Sequence, residues 1–460
     1  MEQFKRFNSK DIIAQAKPGQ KILFANVPAD GHFNPLTGLA VHLKHIGCDV
    51  RWYGGKQYAD KVRSLDIPYY NFVKGVEINP ETFEQDFPGR DKIKSVIGKL
   101  NFDIINVFIL RGPEYLEDIK EIHKSFPFDV MIADSLFSAI PLVKKELDVP
   151  VISVGVVPLP EVSKDLAPYG LALTPAASFF GRRKQDFLRF MADKVLFRKA
   201  NKVMRQVLSR YGIAANDNVF SLLIKQSTLV LQIGSPGFEY KRSDLGSNIR
   251  FVGPLLPYSK PKQQAPWFDK RLEQYKKVLL VTQGTVEKDV NKLLAPTLEA
   301  FKDSNYLVIA TTGGSGTAEL RERFPHQNLI IEDFIPFNDV MPYCSLYITN
   351  GGYGGVMLGI SHGLPMVVAG VHEGKNEINA RIGYFKLGAN LKTELPTAAQ
   401  IKAGVETVLA DKEYKKSVMR LKQELSLYNP LQLSERYILE VIASASTGKA
   451  SNSFKAEVLN

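Results

Sequence analysis

The sequence predicts an α/β protein built from two doubly wound domains. Three observations support this: a length of 460 residues, short apolar runs that alternate with helix-like stretches, and a Pro- and Lys-rich segment near the middle of the chain. A chain of this length exceeds one ordinary hydrophobic core and suits two α/β domains. Hydrophobic residues make up 45% and charged residues 23%, proportions that argue against a disordered chain or a fibre.

The first half opens on a strand, helix, strand unit. Residues 21–27 (KILFANV) form an apolar run that ends at a turn, residues 35–46 have helical character, and CDVRWYG follows as a second run. The alternation returns at FDVMIAD and VPVISVGVVPL, as expected of a parallel sheet with helices on both faces. Loops 76–113 and 158–181 fit neither period, and in such folds these loops line a ligand crevice.

The second half repeats the pattern after a linker. Five apolar runs, KVLLVTQGT, YLVIATTGG, LIIEDFI, SLYITNGG and PMVVAG, each end in small or polar residues before a helix-like stretch. The segment before them is rich in Pro, Lys and Gln and has no apolar period. We predict a first domain at 1–252, a linker at 253–275, a second domain at 276–430, and a C-terminal helix with a frayed tail at 431–460.

Composition disfavours several functional classes. The opening residues lack the apolar core of a signal peptide and no segment offers roughly 18 uncharged apolar residues, so we expect a cytoplasmic protein without stable membrane insertion. Cys48 and Cys344 are far apart in no metal-type spacing, which predicts inert thiols with neither disulfide nor zinc.

The net charge of +11 raises nucleic acid or an anionic membrane as partners. The basic residues are mostly dispersed, so we expect no nucleic-acid partner. Their densest stretch, residues 182–199, also carries Phe187, Phe190, Met191 and Phe197 at helical spacing. We expect a helix that packs its aromatic face and solvates its basic one, with contact to a membrane surface as the alternative.

The turn PADGHFNP places the imidazole of His32 at the carboxyl end of the first strand, the usual position of an active group in this architecture. Asp134 ends the strand FDVMIAD and could meet His32 across neighbouring strands. A carboxylate bonded to one ring nitrogen fixes the tautomer and steadies the protonated ring, so the pair would make His32 a general base. The alternatives are a structural histidine, and an Asp134 that caps the helix beginning near Phe137.

The residues 349–355 (TNGGYGG) join a strand to a helix in the second half. Glycines let backbone amides approach a phosphate closely, and the helix N-terminus adds a partial positive charge, so we predict a diphosphate here. Loops 282–285 and 311–316 could bring further donors. The first domain has no GxGxxG with a following acidic residue, which argues against a dinucleotide oxidoreductase. Metal-binding clusters are also lacking, so amides and a helix dipole would neutralise the leaving group.

These residues resemble the family 1 nucleotide-sugar glycosyltransferases of the GT-B fold. The resemblance rests on residues 31–35 (GHFNP), Asp134 and the stretch 334–380, covers nearly the whole chain, and is closest to the bacterial flavonoid glycosyltransferases, including those that transfer rhamnose. It implies that His32 is the catalytic base and Asp134 its partner, with Asp30 and Phe33 beside them as candidates for acceptor or sugar contact. A simple turn role is equally open for Asp30. The implied donor-binding positions are Gln283, Gly284, Thr285, Phe334, Phe337, Asn350, Gly351, Gly352, Tyr353, Gly354 and Gly355, with the two phenylalanines at the nucleotide base.

Two departures from the family pattern bear on the donor. Lys375 and Asn376 stand where many members have an acidic residue followed by Gln to grip sugar hydroxyls, and Glu373 is a candidate to take over that role. Leu358 stands where the family usually has a Glu that binds the ribose hydroxyls. Because a leucine would leave a ribose 2′-hydroxyl unpaired whereas deoxyribose has none there, we favour dTDP-rhamnose over UDP-glucose.

The resemblance therefore predicts a metal-independent, inverting transfer of a hexose or deoxyhexose to a hydroxyl of a small aromatic acceptor such as a flavonoid. No cofactor is expected besides the nucleotide-sugar co-substrate. The alternatives are a UDP-glucose-dependent glucosyltransferase on a similar acceptor, a nucleotide-sugar epimerase, a nucleotide-binding module without turnover, and a membrane-associated transferase acting on a lipid. The sequence leaves the oligomeric state open.

Overall fold

Two parallel β-sheets organise the protein in the computed structural model, which describes residues 19–78, 83–259, 266–284 and 287–446. The first sheet has the strand order β3-β2-β1-β4-β5-β6-β7 and the second the order β10-β9-β8-β11-β12-β13. Both orders place a crossover beside the first strand of the sheet, so the predicted pair of doubly wound sheets is confirmed. The strands are β1 (Lys21–Ala25), β2 (Asp49–Gly54), β3 (Tyr69–Asn71), β4 (Val130–Asp134), β5 (Val151–Gly155), β6 (Leu229–Ile233), β7 (Ile249–Gly253), β8 (Val278–Thr282), β9 (Leu307–Thr311), β10 (Leu329–Glu332), β11 (Leu346–Thr349), β12 (Met366–Val368) and β13 (Gly388–Asn390).

Helices cover the sheets, and the central strands are buried along their whole length because both faces are packed. The helices are α1 (Asp30–His45), α2 (Ala59–Arg63), α3 (Phe83–Asp86), α4 (Val96–Asp103), α5 (Gly112–Ser125), α6 (Ile140–Glu146), α7 (Phe179–Met191), α8 (Arg198–Ser209), α9 (Val219–Gln226), α10 (Leu294–Phe301), α11 (Thr317–Arg323), α12 (Phe337–Val340), α13 (Tyr353–Ser361), α14 (Lys375–Tyr384), α15 (Ala398–Ala410), α16 (Lys412–Leu425) and α17 (Pro430–Ser446).

Helix α1 begins five residues before its predicted start. Proline favours the first helical position, which placed the predicted boundary at Pro35, yet the structure extends the helix back to Asp30 with Pro35 inside it. His32 therefore lies in the first turn of the helix rather than in a preceding loop.

The two halves share one apolar cluster. It contains Phe33 and Leu36 of α1 together with Val356 and Met357 of α13. Among the described residues, two further clusters lie within the first half and one within the second. Helix α17 returns to the first half, where it contacts α1 and β7. Its carboxylate at Glu435 bonds the ring of His42 at 2.7 Å. The two sheets are thus joined by packing as well as by the connecting segment.

The connecting segment is anchored on both sides. The backbone N–H of Tyr258 donates to Thr37 of α1, and that of Trp267 donates to Asp339 of α12, each at 2.9 Å. Residues 260–265 within the predicted linker, and the predicted frayed tail from residue 447 onward, lie outside the described residues.

The predicted aromatic face is packed at Phe197, which follows α7 and is buried, but the prediction is wrong for α7 itself. Phe187 and Phe190 are 60% and 59% exposed, and Phe179 and Phe180 beside them are also exposed. The helix instead packs through its polar side, where the buried Gln185 donates to the carbonyl of Thr174 at 2.9 Å. Within the described residues, no helix combines the length and the apolar character needed to cross a membrane.

Candidate active site

The carboxyl ends of two neighbouring strands bring His32 and Asp134 together. Strands β1 and β4 pair in parallel with Ala25 opposite Ala133, so the residues that follow each strand share one edge of the sheet. The His32 Nδ1 atom lies 2.8 Å from Asp134 Oδ1. Asp134 is fully buried, whereas the His32 side chain is 16% exposed. The ring is held from inside the protein and is partly accessible from outside.

The backbone fixes the Asp134 carboxylate. Its Oδ2 accepts from the N–H of Val27 at 2.7 Å, and its Oδ1 accepts from the N–H of Leu136 at 3.0 Å. These bonds replace the helix-capping role that was the alternative, since α6 begins only at Ile140. With Nδ1–H donating to the carboxylate, Nε2 carries the lone pair that can accept a proton.

The two residues beside the base have different surroundings. Asp30 lies 3.6 Å from the ammonium of Lys61 and is partly exposed. Phe33 is buried and stacks on Tyr58 with ring centroids 4.2 Å apart. The ring of Phe33 is therefore part of the core, and the predicted contact with acceptor or sugar is wrong for that side chain.

The glycine turn between β11 and α13 is braced by its neighbours. Gly351 has a φ of +91°, and a Cβ there would lie 1.9 Å from Asn379 Oδ1. Asn379 donates to the carbonyls of Asn350 and Gly370 at 3.3 and 2.9 Å. The Asn350 side chain in turn donates to the carbonyl of Gln283. The first amides of α13 lack partners in the helix itself, so this turn presents N–H groups to an anion. We call residues 350–355 the phosphate cradle.

Two predicted donor-binding side chains point elsewhere. The ring of Tyr353 is buried, and its hydroxyl donates to the carbonyl of Ile233 in the first half at 2.7 Å. The buried Gln283 donates to the carbonyls of Glu287 and Asp289. These side chains are structural, so only the backbone at both positions remains available to a donor. Gly284 has a φ of +79° and borders Asn350, whereas Thr285 lies outside the described residues.

The other glycines of the phosphate cradle differ in their surroundings. A Cβ at Gly354 would meet nothing within 4 Å, and one at Gly352 would lie 3.9 Å from Asn350 Oδ1. At Gly355 the nearest atom is the hydroxyl of Tyr347, at 3.1 Å. The cradle is therefore open at Gly354 and closed by protein at Gly355.

The two aromatic residues at the predicted base site are not equivalent. Phe334 follows β10 and is 70% exposed. Phe337 is half-buried and meets Tyr347 edge-on, with centroids 6.4 Å apart. Phe334 is thus the ring that is free to stack on a nucleotide base. Leu358 is half-buried and packs on the shared apolar cluster.

The positions predicted to bind the sugar hydroxyls contact other protein groups. Glu373, at a φ of +54°, is exposed and pairs with Lys375 at 2.6 Å. The Asn376 amide donates to the carbonyl of Gly170 in the first half at 2.7 Å. Sequence reasoning missed the next residue, Glu377, which is buried and bonds the first half as well. The only local signal was the spacing of Glu377 and Arg381, one helical turn apart.

The base and the phosphate cradle lie on helices that touch. Residues of α1 and α13 approach within 8 Å between Cα atoms, and each helix starts at the carboxyl edge of its sheet.

Both cysteines are free and buried, and burial raises the pKa of Cys48 to about 11 and that of Cys344 to about 12. In the ranges that the structure describes, no group of three His, Cys, Asp or Glu side chains is placed to hold a metal ion.

Comparisons with known proteins cover both halves. The model of the family described as UDP-glucoronosyl and UDP-glucosyl transferase matches residues 124–432. The chain is 30% identical to 4'-demethylrebeccamycin synthase of Lentzea aerocolonigenes, over 88% of this chain and 96% of that protein. It is 28% identical to UDP-glucosyltransferase 1 of Beauveria bassiana, over 91% and 95%. The solved structure of the calicheamicin glycosyltransferase CalG4 superposes with a TM-score of 0.69 at 20% identity, over 93% and 99% of the two chains.

Proposed function

Because the chain belongs to the UDP-glucoronosyl and UDP-glucosyl transferase family of nucleotide-sugar glycosyltransferases, we propose that it transfers glucose from UDP-glucose to a hydroxyl of a small aromatic acceptor. The observation that carries the catalytic part is the 2.8 Å contact between His32 and the buried Asp134. The aromatic acceptor follows from the resemblance to the flavonoid glycosyltransferases.

The donor in this proposal differs from the one that the sequence favoured. UDP-glucosyltransferase 1 of Beauveria bassiana supports UDP-glucose by its name at 28% identity. The spinosyn rhamnosyltransferase SpnG, solved with thymidine diphosphate, is only 16% identical and supports the fold alone. The argument from Leu358 also weakens on physical grounds. The side chain packs on the apolar cluster, and a missing acceptor does not reject a ribose whose 2′-hydroxyl can bond water instead.

The proposed mechanism is a single displacement. His32 Nε2 takes the proton of the acceptor hydroxyl as its oxygen attacks the anomeric carbon from the face opposite the diphosphate, so the configuration inverts. Asp134 stabilises the imidazolium that forms. The UDP leaving group departs toward the phosphate cradle, where backbone N–H groups and the dipole of α13 stabilise its charge. Because these groups neutralise the charge, we expect turnover to be unchanged by EDTA.

A donor and acceptor panel read by mass spectrometry tests the proposal. We expect a hexosyl adduct on a phenolic acceptor, with kcat/KM for UDP-glucose at least about tenfold above that for dTDP-rhamnose. An equal or higher kcat/KM with dTDP-rhamnose would overturn the donor assignment. Conversion of UDP-glucose to an isomer without acceptor would identify an epimerase, and nucleotide binding without UDP release would identify a binding module.

A further inference from the structure

A loop of the first half is bound by the helix that begins at the predicted sugar site. We call residues 159–172, which follow β5, the clasp loop. Glu377 Oε1 accepts from the backbone N–H groups of Gly170 and Ala172, at 2.8 and 2.7 Å. The neighbouring Asn376 donates to the carbonyl of Gly170 at 2.7 Å. Two consecutive side chains of α14 thus bind both the donors and the acceptor of one short backbone segment.

A buried network of ion pairs also contacts the clasp loop. Arg381 Nη1 lies 3.2 Å from Glu377 Oε2, and its Nη2 lies 3.0 Å from Glu239 Oε2. The other oxygen of Glu239 accepts from the N–H of Leu159 at 2.9 Å, at the start of the clasp loop. The three charged side chains are at most 5% exposed. Burial opposes the Arg381 cation, but the attraction of Glu239 and other neighbours outweighs it, and the pKa of Arg381 is raised.

Helix α14 also braces the phosphate cradle. Asn379, two residues beyond Glu377, donates to the carbonyls of Asn350 and Gly370. One rigid turn of helix therefore holds the glycine turn on one side and the clasp loop on the other.

We propose that Glu377 is a positioning residue that fastens the clasp loop over the donor end of the second half and so keeps water from the transferred sugar. This inference rests on the proposed glucosyl transfer, because the resemblance puts the sugar hydroxyls beside the first turn of α14. The side chain of Asn376 bonds the same loop. It therefore does not take the place of the glutamine that binds sugar hydroxyls in the family. An anchored loop limits competing hydrolysis of the donor.

Amide hydrogen exchange tests the clasp directly and needs neither donor nor turnover. In Glu377→Ala we expect the amides of Gly170 and Ala172 to exchange at least about tenfold faster. The matched control is Glu435→Ala, which removes another carboxylate that bridges the halves, at His42, far along the chain from the clasp loop. Unchanged exchange in Glu377→Ala would overturn the clasp, whatever reaction the protein performs.

The expected kinetic consequence of losing the clasp is a leak, by which we mean hydrolysis of the donor by water in place of transfer. With UDP-glucose, Glu377→Ala should raise the ratio of hydrolysis to transfer by about tenfold, with an unchanged Kd for UDP. Glu377→Gln retains an oxygen for the two amides, so its ratio of hydrolysis to transfer should lie close to that of the wild-type protein. A rise in the KM for UDP-glucose alone, with no leak, would mean that Glu377 acts on the sugar itself and would overturn the inference.

A third variant covers the case in which Glu377→Ala does not fold, because Arg381 would lose one of its two buried counter-charges. Asn376→Ala removes the bond to the Gly170 carbonyl and leaves no buried charge without its partner. We expect the same direction of change in amide exchange and in the leak, with a smaller size. Wild-type values for both quantities in Asn376→Ala would contradict the clasp.

Discussion

At the scale of single residues, the base depends on a carboxylate that the backbone holds in place. Asp134 accepts N–H groups from Val27 and Leu136 while it bonds His32. An amide at this position keeps the shape of the carboxylate but cannot accept with both of its heavy atoms. It would therefore either lose the bond to Val27 or present an N–H group to the imidazole, which favours the wrong tautomer.

We predict that Asp134→Asn lowers kcat by about 100-fold or more while UDP affinity is unchanged. The control is Asp129→Asn, because Asp129 also bridges the two strands, accepting from the N–H of Lys21 at the opposite ends of β4 and β1. Steady-state kinetics and calorimetry check both variants. Wild-type kcat in Asp134→Asn would show that the ring needs no carboxylate.

The phosphate cradle depends on one glycine. Gly351→Ala would place a Cβ in a left-handed backbone conformation and against Asn379, so we predict destabilisation by about 2 kcal/mol or more. The Kd for UDP should also rise by at least about tenfold, since the amides of the turn would be displaced. Gly383→Ala, in α14 with no contact under 3.7 Å, should retain both properties. Thermal melts and calorimetry test this pair, and an unchanged Kd in Gly351→Ala would place the diphosphate elsewhere.

Single residues show where sequence reasoning succeeds and where it fails. The meeting of His32 and Asp134 was predictable because adjacent parallel strands bring their carboxyl ends together. The directions of Phe33 and Tyr353 were not predictable, since a motif gives the position of a residue but not the face of the helix that packs. Both rings lie in the apolar cluster shared by the halves.

At the scale of elements, α13 carries part of the phosphate cradle and Leu358, which stands where the resemblance puts a ribose-binding glutamate. Leu358 lies on the same helix as the cradle, and its half-buried side chain packs on apolar neighbours. We predict that Leu358→Glu raises kcat/KM for UDP-glucose relative to dTDP-glucose by about tenfold, because the carboxylate can accept from the ribose 2′-hydroxyl.

The control for this helix is Leu358→Gln, which has a similar size and a neutral acceptor. It should shift the same ratio in the same direction by a smaller factor, and a competition assay with both donors measures it. An unchanged ratio in Leu358→Glu would mean that this face of α13 does not meet the nucleoside.

Elements were predictable where an apolar run had only one way to be buried. The central strands fulfil this condition, as their complete burial shows. Helix α7 does not fulfil this condition. Its aromatic spacing fits a packed face, but the helix packs through Gln185, which bonds the carbonyl of Thr174. The start of α1 was also displaced, since the sequence marks Pro35 but does not exclude a helix that extends before it.

At the scale of the whole molecule, the site exists only where the halves meet. The chain brings together Glu239 and Arg381, which are 142 residues apart, and His42 and Glu435, which are 393 apart. No local pattern connects such residues, so the sequence predicts the two sheets but not the contacts between the halves. Helices α1 and α13 also contact each other directly where the halves meet, so His32 and the phosphate cradle lie at neighbouring helices.

In the proposed mechanism, the first half supplies proton transfer and the second half binds the nucleotide. The most direct test is the turnover and UDP affinity of His32→Ala beside the wild-type protein, with UDP-glucose and a phenolic acceptor. We predict a fall in kcat of about 100-fold or more with a Kd for UDP within about twofold of wild type. Near-normal kcat in His32→Ala would contradict the account.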